Sequence, residues 1–152
     1  MSEIKPGEII GDFTLYDSNR NEIRLSDLKG KKVLLAFHPL AWTSGCAKHM
    51  KLLEDNYERF NSMNAVAFGI SIDSVPSKKA WAKELGIENT VFLADFWPHG
   101  EVARMYGMFN EEIGISKRAS ILVDEEQRVR FVRTYEIHKL PDIEEIFAAM
   151  ED

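Results

Sequence analysis

Cys46, the only cysteine of this chain, is the residue best suited to covalent or redox chemistry. The apolar spacing over residues 44–60 predicts a helix, and either Thr43 or Ser44 can cap its start. Cys46 then lies in the first turn of that helix. Free N–H groups and the positive end of the helix dipole favour a thiolate at this position. The placement indicates a reactive thiol.

A structural role for the same cysteine is the competing interpretation. Free cysteines are among the most buried residue types and often serve as small apolar side chains. Cys46 shares the apolar stripe of its predicted helix with Met50, Leu53 and Tyr57. On spacing alone, burial statistics favour the structural role by about two to one. The residues of this helix therefore leave both roles open.

The segments that must position the helix predict an α/β fold. Continuous apolar runs at residues 33–37 and 65–72 are typical of strands buried on both faces. The order of elements, a hairpin followed by βαβα, a short β and α, and a closing ββα, resembles a thioredoxin-like core with an added N-terminal β-hairpin. We expect one domain over residues 1–152. Strands are predicted at residues 13–16, 22–25, 33–37, 65–72, 91–93, 120–123 and 128–132, and helices at 44–60, 77–85, 99–106 and from Pro141 to about 150.

Composition and charge narrow the classes of partner. The 152 residues carry a net charge of −6, with 45% apolar and 29% charged residues, which is typical of a globular chain. The negative charge makes nucleic acid and membrane poor partners. A single cysteine excludes an internal disulfide and a C-x-x-C dithiol. The N-terminus is unlike a secretory signal and no apolar run approaches roughly 20 residues, so we expect a cytoplasmic protein.

The loop before Cys46 resembles the active-site segment of peroxiredoxins. Pro39, Thr43 and Cys46 match the family pattern P-x-x-x-T-x-x-C, and residues 37–43 are similar to F-x-P-x-x-[FW]-T. Gly11 stands where the family often has proline, and His49 stands where many members have a carboxylate or glutamine. With one cysteine, the chain most resembles the one-cysteine members, including the alkyl hydroperoxide reductase E group. Further segments that resemble the family lie on both sides of this loop, at residues 11–15, 69–74, 94–96 and 102–107, in the order in which the family has them.

The resemblance implies a thiol-dependent peroxidase that reduces hydrogen peroxide and organic hydroperoxides. Cys46 becomes a sulfenic acid, which an external thiol reduces: thioredoxin, glutaredoxin or a low-molecular-weight thiol. Arg118 takes the position of the family's catalytic arginine, whereas without the resemblance it is interpreted as a surface cation. The resemblance also places the Thr43 hydroxyl, as a donor or an acceptor, and the N–H groups of Gly45 and Cys46 at the peroxide, with Pro39 shielding the thiolate from water.

Partners and alternative functions complete the expectations. The resemblance implies a homodimer, and the aromatic residues Trp42, Phe96 and Trp97 suit a contact near the active site. A redox sensor that passes the oxidation of Cys46 to a partner protein stays open, as does an inactive thioredoxin-like binding module.

The histidines of the chain suggest few other sites. His38, Cys46 and His49 could form a metal site, but three candidate ligands are too few for a closed structural zinc site. His99 is expected to cap a helix or lie on the surface, and His138 is expected to be exposed. We therefore expect no metal and no cofactor.

Overall fold

A mixed sheet forms the centre of the computed structural model, which describes residues 3–151. Its strands are β1 (Thr14–Asp17), β2 (Glu22–Arg24), β3 (Lys32–Phe37), β4 (Ala65–Ser71), β5 (Val91–Ala94), β8 (Arg118–Val123) and β9 (Val129–Tyr135). Two further strands, β6 (Phe109–Asn110) and β7 (Ile115–Ser116), form a separate two-stranded sheet. The seven strands of the main sheet lie in the order β2-β1-β5-β4-β3-β8-β9. The predicted N-terminal hairpin is therefore present, and it extends the β5 edge.

Helices cover both faces of this sheet. A 3-10 helix spans Leu25–Leu28, and the α-helices are α1 (Ser44–Asp55), α2 (Tyr57–Ser62), α3 (Val75–Leu85), α4 (Glu101–Met105) and α5 (Ile143–Met150). None of the helices within residues 3–151 combines the length and the apolar character needed to cross a membrane.

The three central strands are parallel and buried, as their continuous apolar sequences predict. β3 pairs in parallel with β4, and β4 with β5, while β8 runs antiparallel to β3. Side chains alternate across a strand, so β3 contributes to two cores. Leu34 and Ala36 pack with Cys46, Met50 and Trp81 on one face. Val33, Leu35 and Phe37 join the core on the opposite face.

The prediction of one continuous helix over residues 44–60 was wrong, because two helices, α1 and α2, occupy this segment. Asn56 separates α1 from α2 and adopts φ −106° and ψ 11°. Its side-chain amide donates a hydrogen bond of 2.8 Å to the carbonyl oxygen of Leu52, so a local side-chain contact accompanies the break.

Other boundaries differ by a few residues because caps set them. Ser74 accepts a hydrogen bond from the Ser77 N–H, so α3 begins earlier than predicted. Asp142 caps α5 in the same manner, so this helix begins after Pro141. Gly86 ends α3 in the left-handed conformation, with φ 72°, as its position predicted. The β6–β7 ladder was missed, since strands of two residues carry no usable periodicity.

Candidate active site

Sheet topology brings Arg118 beside the helix that carries Cys46. β3 ends at Phe37, which pairs with Ala119 of the antiparallel strand β8. Arg118, the first residue of β8, therefore lies next to the point where the chain leaves β3 for α1. The pairing of β3 with β8 therefore brings Arg118 into contact with Cys46, although the two residues are 72 positions apart in the sequence.

The loop from β3 to α1 is held by the segment that follows β4. The Ala41 N–H donates to the Asp73 Oδ2 at 2.8 Å, and the indole N–H of Trp42 donates to the Ser77 Oγ at 3.1 Å. Trp42 is in the left-handed region, with φ 67°, a conformation that costs a non-glycine residue roughly 1–2 kcal/mol. The two hydrogen bonds offset this cost and fix the path of the loop.

Cys46 lies in the first turn of α1, as predicted. Thr43 is the N-cap residue, and the first helical hydrogen bond runs from the Ala47 N–H to the Thr43 carbonyl at 2.9 Å. The N–H groups of Gly45 and Cys46 precede that bond and point out of the helix start. The predicted capping by a side chain was wrong. The Thr43 hydroxyl donates instead to the carbonyl oxygen of Leu40 at 2.8 Å.

Arg118 is a buried partner of the thiol and not a surface cation. Its Nη2 donates to the Cys46 Sγ at 3.4 Å and to the Ile137 carbonyl at 3.2 Å. Cys46 is 1% exposed and Arg118 is 2% exposed. A Cβ atom at Gly45 would lie 3.2 Å from the Nη2, so the close approach of the guanidinium explains the glycine. The guanidinium thus places a buried positive charge beside the sulfur atom.

His49 supplies a neutral acceptor for the same guanidinium. Its Nδ1 lies 2.9 Å from the Arg118 Nη1, and because arginine only donates, the Nδ1 must be unprotonated. Burial and the neighbouring Arg118 lower the pKa of His49 to about 3, so the ring stays neutral. A carboxylate in this place would compensate the arginine charge, whereas a neutral imidazole leaves that charge to the thiol.

A second layer of buried polar residues lies behind His49, and the sequence interpretation missed it. The ring centroids of His38 and His49 are 6.4 Å apart, and the His38 Nε2 lies 3.1 Å from the Lys78 Nζ. One signal was present in the sequence. Lys78 lies three residues before the buried Trp81 on α3, so a lysine occupies the apolar face of that helix.

A cavity of about 450 Å³ opens beside the thiol. The five residues predicted for the site, Pro39, Thr43, Gly45, Cys46 and Arg118, all line it. Its remaining walls are largely apolar. They are formed by Leu40, Ile115, Ile137 and Leu140, with Ser44, Lys48 and His138 also present.

The other histidines lie away from the thiol contacts. His138 is exposed, as predicted, and lines the cavity. The His99 prediction was wrong, since its half-buried Nε2 lies 2.6 Å from the Gly114 carbonyl and the N-cap of α4 is Gly100. No group of three metal-ligating side chains occurs within the part of the chain that the structure describes.

The sequence matches a known protein family over most of its length. Residues 6–132 match the AhpC/TSA family. The chain belongs to this family. It is 40% identical over 126 residues to alkyl hydroperoxide reductase E of Mycobacterium tuberculosis (strain ATCC 25618 / H37Rv), covering 82% of each chain. It is 33% identical over 150 residues to a peroxiredoxin of Thermoplasma volcanium, covering 95% of this chain and 72% of that protein.

Solved structures confirm the thioredoxin-like fold of this AhpC/TSA family member. The crystal structure of peroxidoxin BcpB from Mycobacterium tuberculosis matches with a TM-score of 0.85 and 27% identity, over 97% of both chains. Enterococcus faecalis AhpC matches in fold with a TM-score of 0.87 and 24% identity, over 99% of this chain and 91% of that chain. The protein is a thiol-dependent peroxidase of the peroxiredoxin type, and the redox-sensor and binding-module alternatives are not favoured.

Proposed function

We propose that Cys46 is the residue that this peroxidase oxidises. Its thiolate attacks the terminal oxygen of a hydroperoxide, the O–O bond breaks, and Cys46 becomes a sulfenic acid while an alkoxide or hydroxide leaves and takes up a proton. The observation that carries the proposal is the 3.4 Å contact between the Arg118 Nη2 and the Cys46 Sγ at the cavity. No other thiol exists in the 152 residues.

Each neighbouring group has a role in this step. Arg118 stabilises the thiolate and donates to the negative charge that develops on the peroxide oxygens. The N–H groups of Gly45 and Cys46 add donors on the helix side. Pro39, which is buried and lacks an N–H, keeps water from the thiolate.

Thr43 acts as an acceptor, because its hydroxyl proton already goes to the Leu40 carbonyl. The oxygen lone pairs are left to accept a hydrogen bond from the O–H of the hydroperoxide. The peroxide is then oriented by one acceptor, Thr43, and by donors that include Arg118. This narrows the expectation that the hydroxyl donates or accepts.

Replacing Thr43 by valine tests this role. We expect the rate of Cys46 oxidation to fall roughly 10–100-fold, the range that one hydrogen bond in a charged site contributes. The ultraviolet absorbance of the thiolate should titrate almost as in the wild type. Thr43→Ser keeps the hydroxyl and should retain most of the rate. Stopped-flow tryptophan fluorescence measures all three proteins, and equal rates for wild type and Thr43→Val would remove Thr43 from the mechanism.

Both hydrogen peroxide and organic hydroperoxides are proposed as substrates. The polar end of the cavity, at Thr43, Cys46 and Arg118, meets the –OOH group that all hydroperoxides share. The apolar walls at Leu40, Ile137 and Leu140 accommodate an alkyl chain by burying its surface.

An external thiol completes the cycle. Because Cys46 is the only cysteine, the sulfenic acid condenses with a thiol from outside, releasing water, and a second thiol then regenerates Cys46. Thioredoxin, glutaredoxin and a low-molecular-weight thiol are the candidate reductants. A cycle that depends on reduced thiols suits the cytoplasm, where we place the protein.

A homodimer is proposed on the basis of exposed aromatic side chains. Trp42, Phe96 and Trp97 are 55%, 52% and 81% exposed. They follow the carboxyl ends of β3 and β5, which lie at the same edge of the sheet because both strands are parallel to β4. This edge also carries the Cys46 loop, so the contact lies near the active site.

Light scattering tests the dimer. We expect the mass of two chains for the wild type and of one chain for Trp97→Glu, because a charge in an apolar contact is costly to bury. Ile9→Glu, which alters an apolar side chain that is 58% exposed outside this edge, is the matched control and should stay dimeric. A wild-type mass of one chain at working concentration would contradict the proposal.

A further inference from the structure

Lys78 is a buried cation that the proposed mechanism does not use. It lies on α3 with 1% of its surface exposed, an unusual state for a lysine. Three polar atoms lie around its Nζ: the His38 Nε2 at 3.1 Å, the Gly69 carbonyl oxygen at 3.2 Å and the Ser71 Oγ at 2.8 Å. A buried charge needs such partners, and these three atoms offset part of the cost of burying the ammonium group.

Two of these three atoms can only accept from Lys78, and the third, on the His38 ring, accepts in one of its two tautomers. The Gly69 carbonyl can only accept. The Ser71 hydroxyl donates its own proton to the Asp73 Oδ2 at 2.7 Å, so it accepts from Lys78. The His38 Nε2 is the third acceptor when its ring carries the proton on Nδ1. An –NH₃⁺ group has three donors, which match three acceptors.

Lys78 is connected through two histidine rings to Arg118, the arginine that contacts the thiol. The ring that accepts from Lys78, His38, packs edge-on against His49, with an interplanar angle of 80°. His49 in turn accepts from the Arg118 Nη1 at 2.9 Å, while the Nη2 of the same guanidinium reaches Cys46. The position of His38 therefore limits where His49 can hold Arg118.

Lys78 is also connected, through hydrogen bonds of Ser71 and Asp73, to the active-site loop between β3 and α1. Ser71 accepts from Lys78 and donates to Asp73, and the same Asp73 Oδ2 accepts from the Ala41 N–H at 2.8 Å. Ala41 lies two residues before Thr43. Hydrogen bonds thus run without interruption from the Lys78 ammonium to the loop that carries the peroxide-orienting threonine.

We propose that Lys78 is a positioning residue of the peroxidase site, and that its buried ammonium holds the His49–Arg118 pair on one side and the loop carrying Thr43 on the other. Lys78 touches neither the thiol nor the peroxide, so it acts through His38 and Asp73. The proposal rests on the oxidation of Cys46 as the step being assisted.

Charge makes the role dependent on pH. The titratable and charged groups that face Lys78 are His38 after β3, Cys46 and His49 on α1, Asp73 after β4, Asp95 after β5 and, through His49, Arg118 on β8. Burial lowers the pKa of Lys78 to about 7, against the opposing charges of Asp73, Cys46 and Asp95. Burial and Lys78 hold the pKa of His38 well below its ordinary value.

The ammonium is consequently lost as pH rises through about 7 and beyond. His38 and His49 stay neutral across that window, because both pKa values are lowered. Burial raises the pKa of Asp95 to about 6, so this carboxyl is ionised for most of it. The assistance from Lys78 should fade with rising pH.

The test compares Lys78→Met with Lys79→Met, the adjacent exposed lysine on the same helix. Oxidation of reduced protein by hydrogen peroxide is followed by stopped-flow fluorescence from about pH 6.5 to about pH 9. We expect Lys78→Met to oxidise at least about tenfold more slowly than wild type at the acidic end, as a small misplacement of catalytic groups can cause. The difference should shrink toward the alkaline end, and Lys79→Met should match the wild type throughout.

Two kinetic outcomes overturn the proposal. Rates of Lys78→Met within twofold of wild type at every pH leave Lys78 without a role, and a loss of rate that is constant with pH reduces it to packing. In both cases rapid oxidation of the wild-type protein leaves the proposed function intact. A wild type that is itself no faster than a free thiol rejects the proposed function and this inference together.

Histidine ¹⁵N NMR of the wild-type protein provides a second measurement that does not depend on a folded variant. An unprotonated Nε2 on a neutral His38 is expected, because that atom accepts from Lys78. A proton on the His38 Nε2 near neutral pH would show that Lys78 does not donate to it, and the proposal would fall.

Discussion

Arg118→Ala is expected to slow the oxidation of Cys46 by roughly 10²–10³-fold. The guanidinium is buried, contacts the Sγ at 3.4 Å and lines the cavity where the peroxide must lie. It is therefore positioned to stabilise both the thiolate and the charge that develops as the O–O bond breaks. In a site from which water is excluded, a preorganised donor of this kind contributes far more than it does in water.

Stabilising the charge that develops as the O–O bond breaks contributes more to the rate than stabilising the thiolate does. A thiol with an ordinary pKa of about 8.5 is a few per cent ionised at neutral pH, so complete ionisation raises a rate only about 30-fold. Part of that gain is lost because a thiolate of lower basicity is a weaker nucleophile. One well-placed donor to a developing charge supplies roughly 10²–10³-fold. Most of the loss in Arg118→Ala should therefore persist at alkaline pH, where the thiol is fully ionised.

Two further variants make the arginine test specific. Arg118→Lys keeps the positive charge but cannot reach His49 and Cys46 together, so we expect a rate between those of alanine and wild type. Arg133→Ala removes an exposed arginine of β9 that pairs with Glu145 at 2.8 Å, and it should oxidise as the wild type does. Stopped-flow fluorescence with hydrogen peroxide measures each rate, and a folded Arg118→Ala within twofold of wild type would contradict the assignment.

Cys46→Ser is expected to abolish peroxide turnover completely, with every reductant. The serine oxygen cannot form a sulfenic acid, and no second thiol in the chain can take over the reaction. The substitution changes one atom in a side chain that is 1% exposed, so the fold should persist. Steady-state consumption of hydrogen peroxide and of an alkyl hydroperoxide provides the measurement.

Lys51→Ala is the matched control for the cysteine variant. It shortens an exposed side chain of the same helix that does not line the cavity, and it should leave turnover close to that of the wild type. Residual turnover in purified Cys46→Ser above that of the buffer would show that the reaction does not pass through this thiol.

The sequence predicted the fold well because its signals are local. Apolar runs identified β3 and β4, and the glycine after α3 marked the end of that helix. The first-turn position of Cys46 followed from the start of α1, which any nearby cap would have defined. Boundaries were lost where side chains bond to the backbone, as Asn56 does between α1 and α2.

The prediction that distant residues meet at one site came from the resemblance to the family and not from hydrophobic periodicity. Nothing local in the sequence indicates that Arg118 approaches His49 across 69 positions, or that Lys78 approaches His38 across 40. Such contacts arise from the order of strands in the sheet. The role of the Thr43 hydroxyl could not be predicted either, because its hydrogen bond to the Leu40 carbonyl depends on the path of the folded loop.

A single-turnover experiment tests the central claim most directly. Reduced protein is mixed with one equivalent of hydrogen peroxide, its fluorescence is followed by stopped flow, and the product is trapped with a sulfenic-acid reagent for mass spectrometry. We predict one sulfenic acid per chain, located at Cys46 and formed far faster than on a free thiol. Oxidation no faster than that of a free thiol, or a product elsewhere in the chain, would contradict the assignment of Cys46.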